Sequence, residues 1–330
     1  MHPVATTLDS LQATLKLLSD PLRLRLCALL ARAELAVQEL VSITGLQQSR
    51  VSNHLSLLKR AGLVRDRREG TWSFHSLVDP SEGGALSPSL FAATVQPYLD
   101  ADEGARDLAA LDALLDRRRQ KSRETHDQLA EQWRVVGQDF AVGSLRAEIL
   151  SHAWPCGPVV ADLGCGAGFL AGWLAARSDD VIGVDHSARM LEEARANVPT
   201  AEFRQGELDA LPLQDGEVDA AFANLVWHHV PDDDAAAREV FRVVRPGGHV
   251  VVSDLMPHES DWMRERMGDL RLGLKPDQVV GSLARAGFKD LVSEPLLDRY
   301  RVAAPKGAVA NAEHAEFSMF VVRGRKPGAA

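Results

Sequence analysis

The sequence predicts an α/β chain in two parts, a winged helix-turn-helix followed by an open α/β sheet. Three observations predict it. The 330 residues are too many for one average domain and suit about two. The first eighty residues carry leucine stripes at helical spacing, a glycine turn, and then a short alternating stretch. Further on, "ADLGCGAG" (161–168) sets three glycines at every second position behind an apolar run, where a strand gives way to a helix.

The elements follow in order. Leu8, Leu11, Leu15 and Leu18 recur at three- and four-residue steps, the stripe of an amphipathic helix. Asp20-Pro21 reads as an N-cap with proline in the first helical position, and Leu22, Leu26, Leu29 and Leu30 line the helix it starts. A short helix over Val37–Ile43 stops at Thr44-Gly45. A second, over Gln48–Ala61, turns Val51, Leu55 and Leu58 inward. Helix, tight glycine turn, helix is a helix-turn-helix. Its outward residues Gln48, Ser49, Arg50, Ser52 and Asn53 are short and polar, suited to base edges, with the arginine able to reach guanine or phosphate. Gly62-Leu63 ends the helix, and "VRDRREGTWSFHSL" (64–77) alternates around Glu69-Gly70 as a hairpin, the wing.

Charge supports a nucleic-acid partner only locally. The net charge is −9, yet residues 1–120 balance 14 basic against 14 acidic side chains, so the whole deficit lies beyond them. Within 47–70, Arg50, Lys59, Arg60, Arg65, Arg67 and Arg68 outnumber Asp66 and Glu69, and such a patch attracts phosphates.

Residues 8–78 resemble the ArsR/SmtB winged-helix repressors in "SDPLRLRLCALL", "GLQQSRVSNHLSLLKRAGLV" and "RREGTWSFHSL". The resemblance implies that Gln48, Ser49, Ser52 and Asn53 enter the major groove of a double-stranded DNA operator. It places Arg67 and Arg68 on phosphate or in the minor groove. It also implies a homodimer built on the first helix and the apolar-striped segment after 89. Metal-sensing members carry cysteines where "ELAVQEL" (34–40) has Ala36 and Gln38, neither of which supplies a thiolate, so the signal is expected not to be a metal. Cys27, in an apolar helix, reads as a buried thiol.

"DPSEGGALSP" (79–88) is a break, and the segment after it reads as helical up to the basic cluster Arg117–Lys121. The expected organisation is therefore 1–80 for the DNA-binding domain, 81–120 for linker and dimerisation helices, and 121–330 for the second domain.

In that domain Val159–Ala161 is a buried strand, Phe169–Arg177 a helix, and "VIGVD" a second strand ending in Asp185, whose carboxylate can accept both hydroxyls of a ribose. The loop is not a dinucleotide fingerprint, because Phe169 stands where a third glycine is needed. It lacks the Gly-Lys-Ser/Thr of a nucleoside-triphosphate loop. Its own pattern is Asp162-x-Gly164-x-Gly166-x-Gly168.

The stretch 159–254 resembles the class I methyltransferases that use S-adenosylmethionine, in "VVADLGCGAGFLAGWLAA", "VIGVDHSARMLEEAR", "EFRQGELDALPLQDGEVDAAFANLVWHHV" and "VFRVVRPGGHVVVSDL". The resemblance implies a Rossmann-like domain with a seven-stranded sheet, the last strand antiparallel, that binds S-adenosylmethionine or S-adenosylhomocysteine. Gly164 and Gly166 would lie under the methionine and ribose, Asp162 near the ammonium, Asp185 on the ribose, and His186 and Met190 beside the adenine. Glu207, where the family more often has aspartate, would accept from the adenine amino group with the Leu208 backbone beside it. Asn224 would sit close to the sulfonium, and Arg245–Gly248 would form the turn before the fifth strand.

"GFKDLVSEPLL" and "EFSMFVVRGRK" suit the final strand pair, with "DRYRVAAPKGAVANAEHA" between them as a surface loop. His126 and Trp133 in "ETHDQLAEQW" read either as a cover over the methionine portion or as packing.

Catalytic residues are not identifiable by pattern. His228 and His229 ("WHHV") are the candidate bases, followed by Asp254 and His258, and His228 reads first as a packing residue at a helix start. No metal site is expected: His228, His229, Asp232 and His258 come nearest to one, but adjacent histidines are expected to point apart. Arsenite as methyl acceptor needs several thiols, and only Cys156 and Cys165 are at hand. The three cysteines form no disulfide framework, so a cytoplasmic setting is expected. Neither a signal peptide nor a membrane span of ~18 apolar residues is legible. The function expected is a DNA-binding regulator with S-adenosylmethionine or S-adenosylhomocysteine as effector, and the alternative is an active methyltransferase of a small molecule or protein with an appended DNA-binding domain.

Overall fold

The computed structural model describes residues 8–69, 72–78, 86–136, 143–153, 156–303 and 314–328, and its contacts divide the chain into two units, Met1–Arg119 and Gln120–Ala330.

In the first unit α1 (Leu8–Leu18) precedes α2 (Pro21–Leu30). Asp20 caps α2, its carboxylate accepting the N–H of Leu22 at 2.9 Å and of Arg23 at 3.3 Å, which answers two of the donors a helix start leaves unpaired. β1 (Leu35–Ala36) leads into α3 (Val37–Thr44), which Gly45 ends in the left-handed region (φ 69°). The helix α4 (Gln48–Arg60) buries Val51, Leu55 and Leu58. β2 (Val64–Glu69) and β3 (Trp72–Leu77) pair antiparallel from Val64↔Leu77 to Glu69↔Trp72, and β1 joins the other side of β3. The wing tip at Gly70 and the break at 79–85 lie outside the described residues.

Residues 86–119, expected as linker and dimerisation helices, contribute side chains to this unit's core. α5 (Pro88–Thr94), α6 (Gln96–Leu99) and the first part of α7 (Asp102–Val136) bring Val95, Leu99, Leu111 and Leu114 against Leu26, Leu55 and Leu58, with Leu86 beside them. A charged network fastens them: Asp107, 4% exposed, accepts from Arg25 and, at 2.7 Å, from the Tyr98 hydroxyl, and Arg118 reaches Glu39. The division at Arg119/Gln120, one residue from the boundary expected at 120/121, falls within the span of α7.

The second unit is a doubly wound sheet. Its elements after α7 are α8 (Gly143–Ser151), β4 (Val159–Leu163), α9 (Phe169–Ala175), β5 (Asp180–Asp185), α10 (Ala188–Asn197), β6 (Glu202–Gln205) and β7 (Val218–Asn224). A 3-10 turn at Trp227–His229 follows, then α11 (Asp233–Val243), β8 (Val244–Leu255), α12 (Trp262–Met267), α13 (Pro276–Ala286), β9 (Lys289–Ala303) and β10 (His314–Arg325). The strand order is β6-β5-β4-β7-β8-β10-β9, parallel through β8, with β10 antiparallel to both neighbours. Period-two alternation fills both faces: Phe222 packs on one side with Leu170, Leu174 and Val251, while Ala221 and Ala223 face the other with Val240 and Leu283. The strand order reverses between β4 and β7, and that crevice is where open α/β sheets hold ligands.

Two local expectations change. Arg245–Gly248 lies within the span of β8, where the ladder steps from Val218↔Val244 to Ala220↔His249 and leaves the glycines as an irregularity. Residues 298–303 form strand, not loop: Tyr300 and Val302 face inward between exposed Arg299 and Arg301, an alternation that the arginines disguise. Residues 304–313 of that predicted loop lie outside the described residues. Among the described residues no helix is long and apolar enough to cross a membrane.

Candidate functional site

Each unit carries one candidate site. On the first, α4 presents Gln48, Ser49, Arg50 and Asn53 exposed and Ser52 half-buried, the polar face opposite its buried stripe. The wing is less free than its charge suggests. The Arg67 guanidinium forks onto Glu34 at 3.1 and 2.7 Å and lies over the Phe74 ring, 5.2 Å from its centre, while Arg68 stays exposed. Lys59 pairs with Asp66, so the basic patch is thinner than residue counting implies.

The second site starts at the glycine loop. Gly164, Gly166 and Gly168 adopt φ of 71°, 51° and 82°, a backbone that side chains resist. A Cβ on Gly164 would lie 2.2 Å from Val226 Cγ2. The loop closes on the next strand: Gly164 and Cys165 donate N–H groups to the Val184 carbonyl at 2.7 and 3.0 Å. The Asp185 carboxylate accepts from Gly166 N and Ser187 N, both at 2.9 Å. These bonds hold one carboxylate at the crevice with acceptor capacity remaining.

Beyond the loop lies a cavity of about 100 Å³. Asp162, Gly164, Cys165 and Gly166 form one wall; Asn224, His228, His229, Asp269, Tyr300, Met263 and Met267 contribute to the rest. Asn224 accepts from the Ser253 hydroxyl at 2.8 Å. Asp162 is 2% exposed with Oδ2 unbonded, and burial, followed by the nearby Asp185 charge, pushes its carboxyl up to about 7.

A row of imidazoles runs from the loop into this cavity. His186 Nε2 lies 3.3 Å from His126 Nδ1, the His126 ring meets His229 at 4.7 Å between centres, and His229 meets His228 at 4.2 Å. Burial disfavours charge on His228, but Asp254 and Asp269 outweigh it and raise the group to about 10. Burial and then the neighbouring imidazoles push His229 well below the ordinary range. Glu207 is held by Arg123 at 3.1 Å and stands 3.6 Å from His186.

The sequence candidates therefore divide. Asp162, Gly164, Gly166, Asn224, His228 and His229 line the cavity. Gly168, Asp185, His186, Met190, Glu207 and Leu208 do not: Gly168 starts α9, Met190 is 1% exposed inside α10, and Leu208 packs on the hydrophobic layer. His126 is in contact with the site, whereas the side chain of Trp133 lies outside the described residues. Asp254 is fully buried with Oδ1 2.6 Å from His228 Nδ1. His258 stacks on Phe317, and Asp232 caps α11, so neither joins the cluster. Sequence reading missed Asp269, Tyr300, Met263 and Met267, and for Asp269 no local pattern signals the role. It also misjudged the adjacent histidines. On a 3-10 turn neighbours are ~120° apart, not opposed, and the Nε2 atoms of His228 and His229 lie 3.6 and 3.9 Å from Asp269 Oδ1.

Comparison with known proteins agrees with this two-part reading. Residues 20–66 match the arsR family of bacterial regulatory proteins, and residues 161–252 match a methyltransferase domain. The first unit carries an arsR-family helix-turn-helix, and the second carries a methyltransferase domain. The chain is 43% identical over 107 residues to an uncharacterized 37.1 kDa protein in transposon TN4556 of Streptomyces fradiae, covering 31% of this chain and 30% of that one. It is 33% identical over 165 residues to an arsenite methyltransferase of Halobacterium salinarum, covering 47% of this chain and 39% of that enzyme. The chain thus spans well under half the length of either relative. An S-adenosylmethionine dependent methyltransferase structure from Mesorhizobium loti aligns at 21% identity and TM-score 0.43, over 56% of this chain and 99% of that one.

Proposed function

We propose that the chain is a homodimeric, cytoplasmic DNA-binding regulator whose second unit binds S-adenosylmethionine or S-adenosylhomocysteine as its signal. The observation that carries this reading is the presence, in one chain, of an exposed polar face on α4 and a glycine loop braced on Asp185. A ribose would meet the Asp185 carboxylate, an adenine amino group Glu207, and the methionine ammonium Asp162, whose unbonded buried oxygen suits a cation. The cysteines, buried and unpaired among the described residues, are consistent with a reducing compartment. An effector shifts DNA affinity only by binding the two states unequally. Fluorescence anisotropy on the chain's own promoter DNA, titrated with each ligand, tests this. A changed affinity is expected, and unchanged affinity while both ligands bind removes the effector role.

The cavity favours a second reading, methyl transfer to a small acceptor. Its lining includes Asn224 and combines titratable groups with Tyr300 and two methionines, the mixed lining of a substrate chamber. Arsenite fits it poorly. Of the second unit's cysteines only Cys165 reaches the cavity, and burial pushes its thiol well above the usual range, while Cys156 sits 3.3 Å from the Ser178 hydroxyl.

A further inference from the structure

We infer that His228, His229 and Asp269 form a binding site for one divalent transition-metal cation on the wall of this cavity. The three side chains offer ligand atoms that all lie within 4.8 Å of one another. Their orientation is the stronger argument. The His228 Nδ1 faces the Asp254 carboxylate at 2.6 Å, and the His229 Nδ1 faces the Gly268 carbonyl at 3.2 Å. Both partners only accept, so each Nδ1 carries a proton and each Nε2 is the atom turned toward an ion. His228, favoured as the cation without one, releases its Nε2 proton when the ion binds. A histidine held this way by a carboxylate or carbonyl is oriented and made more basic as a metal ligand. Both Nε2 atoms converge on Asp269 Oδ1, at 3.6 and 3.9 Å.

Those separations are too long for hydrogen bonds. A tetrahedral ion ~2.1 Å from each ligand needs them about 3.4 Å apart. Each imidazole closes on Asp269 by a few tenths of an ångström, while the two imidazole nitrogens, within 4.8 Å of each other, draw together by up to roughly 1.4 Å. Asp269 supplies an independent sign. It is 4% exposed, and its Oδ2 has no hydrogen-bond partner. An unanswered buried carboxylate oxygen is costly, and a cation answers it. Two imidazoles and one carboxylate are a ligand set for zinc, iron(II) or cobalt(II), with positions left open to solvent or substrate.

All three residues share the cavity lining with Asn224. The open positions would take an acceptor hydroxyl or thiol as its anion, the proton passing to solvent. That role rests on the methyl-transfer reading; the ion site does not.

The test uses the full chain, stripped with a chelator, dialysed and titrated with cobalt(II) while visible absorption is followed. One cobalt per chain is expected, with ligand-field bands, no sulfur-to-metal charge-transfer band, and displacement by zinc. Asp269→Asn and His229→Ala should each weaken uptake at least tenfold, while His152→Ala, whose imidazole faces Glu294 and does not line the cavity, should not. Sub-stoichiometric uptake, a sulfur band, or affinity unchanged in both variants overturns the site. Calorimetry with S-adenosylhomocysteine on the same samples checks that the variants fold. Should they not, the wild-type stoichiometry and spectrum decide alone. Cobalt uptake without S-adenosylhomocysteine binding would sink the cofactor reading and leave the metal site standing; the reverse result would do the opposite.

Discussion

Two carboxylates at the crevice have opposite environments, and this difference makes them testable one at a time. Asp185 already accepts two backbone N–H groups, and ribose hydroxyls would add charge-assisted bonds to the same group. Asp185→Ala removes those bonds and orphans the two amides, so S-adenosylhomocysteine affinity measured by calorimetry should fall at least a hundredfold. A near-normal affinity would reject the ribose assignment. Asp162 is raised to about 7, chiefly by burial. An acid raised on folding is favoured as the neutral form, so its contribution to stability is lost as pH climbs from the ordinary carboxylate range toward 7. A ligand ammonium reverses that preference by favouring the carboxylate, so binding releases a proton. Affinity for S-adenosylhomocysteine should therefore rise about tenfold between pH 6 and 8, and Asp162→Asn should flatten the profile. A flat wild-type profile would separate Asp162 from the ammonium.

At the level of elements, α4 allows a clean division of labour, because its buried stripe and its polar face share no residue. Replacing Arg50 and Ser52 together by alanine should weaken operator binding ten- to a hundredfold, the range for losing an arginine contact and its neighbour. S-adenosylhomocysteine affinity should stay unchanged, and equal loss on random DNA would mark Arg50 as a phosphate contact rather than a base reader. The element boundaries were largely legible for a local reason. Asp20-Pro21, Thr44-Gly45 and the triple-glycine loop are set by capping and backbone conformation within a few residues. What stayed hidden depends on distant partners. Arg67 reads as a free wing cation until Glu34, 33 positions away, is seen to claim it. Asp269 meets His228 only because the segment after α12 folds back over the 3-10 turn, and Tyr300 enters the cavity on a strand whose arginines made it look like loop. Local rules thus mark the glycine loop, and tertiary contacts make the chamber beyond it.

At the scale of the whole molecule, the remaining question is how many copies act on DNA. A single recognition helix reads one half-site, and operators read by paired helices require two copies at a spacing set by the dimer. Among its described residues, the first unit leaves one leucine of its first helix exposed. On α1, Leu18 is 2% exposed and belongs to the core, but Leu15, on the same stripe, is 44% exposed. The side chain of Leu8 lies outside the described residues. Isolated exposed leucines are ordinary, so the stripe has to be tested by charge. Leu15→Glu introduces a carboxylate that costs little in water and much in an apolar interface. Sedimentation velocity should then show a dimer for the native chain and a monomer for the variant. Operator affinity should fall more than tenfold, because the second half-site contact becomes a separate bimolecular event. S-adenosylhomocysteine affinity per chain should not change, since every residue assigned to that ligand lies between 162 and 224. A variant that stays dimeric would move the interface off α1 and onto the exposed faces of α5–α7. A native chain that is monomeric at micromolar concentration would remove the symmetric operator altogether and leave single-site binding as the mode to measure.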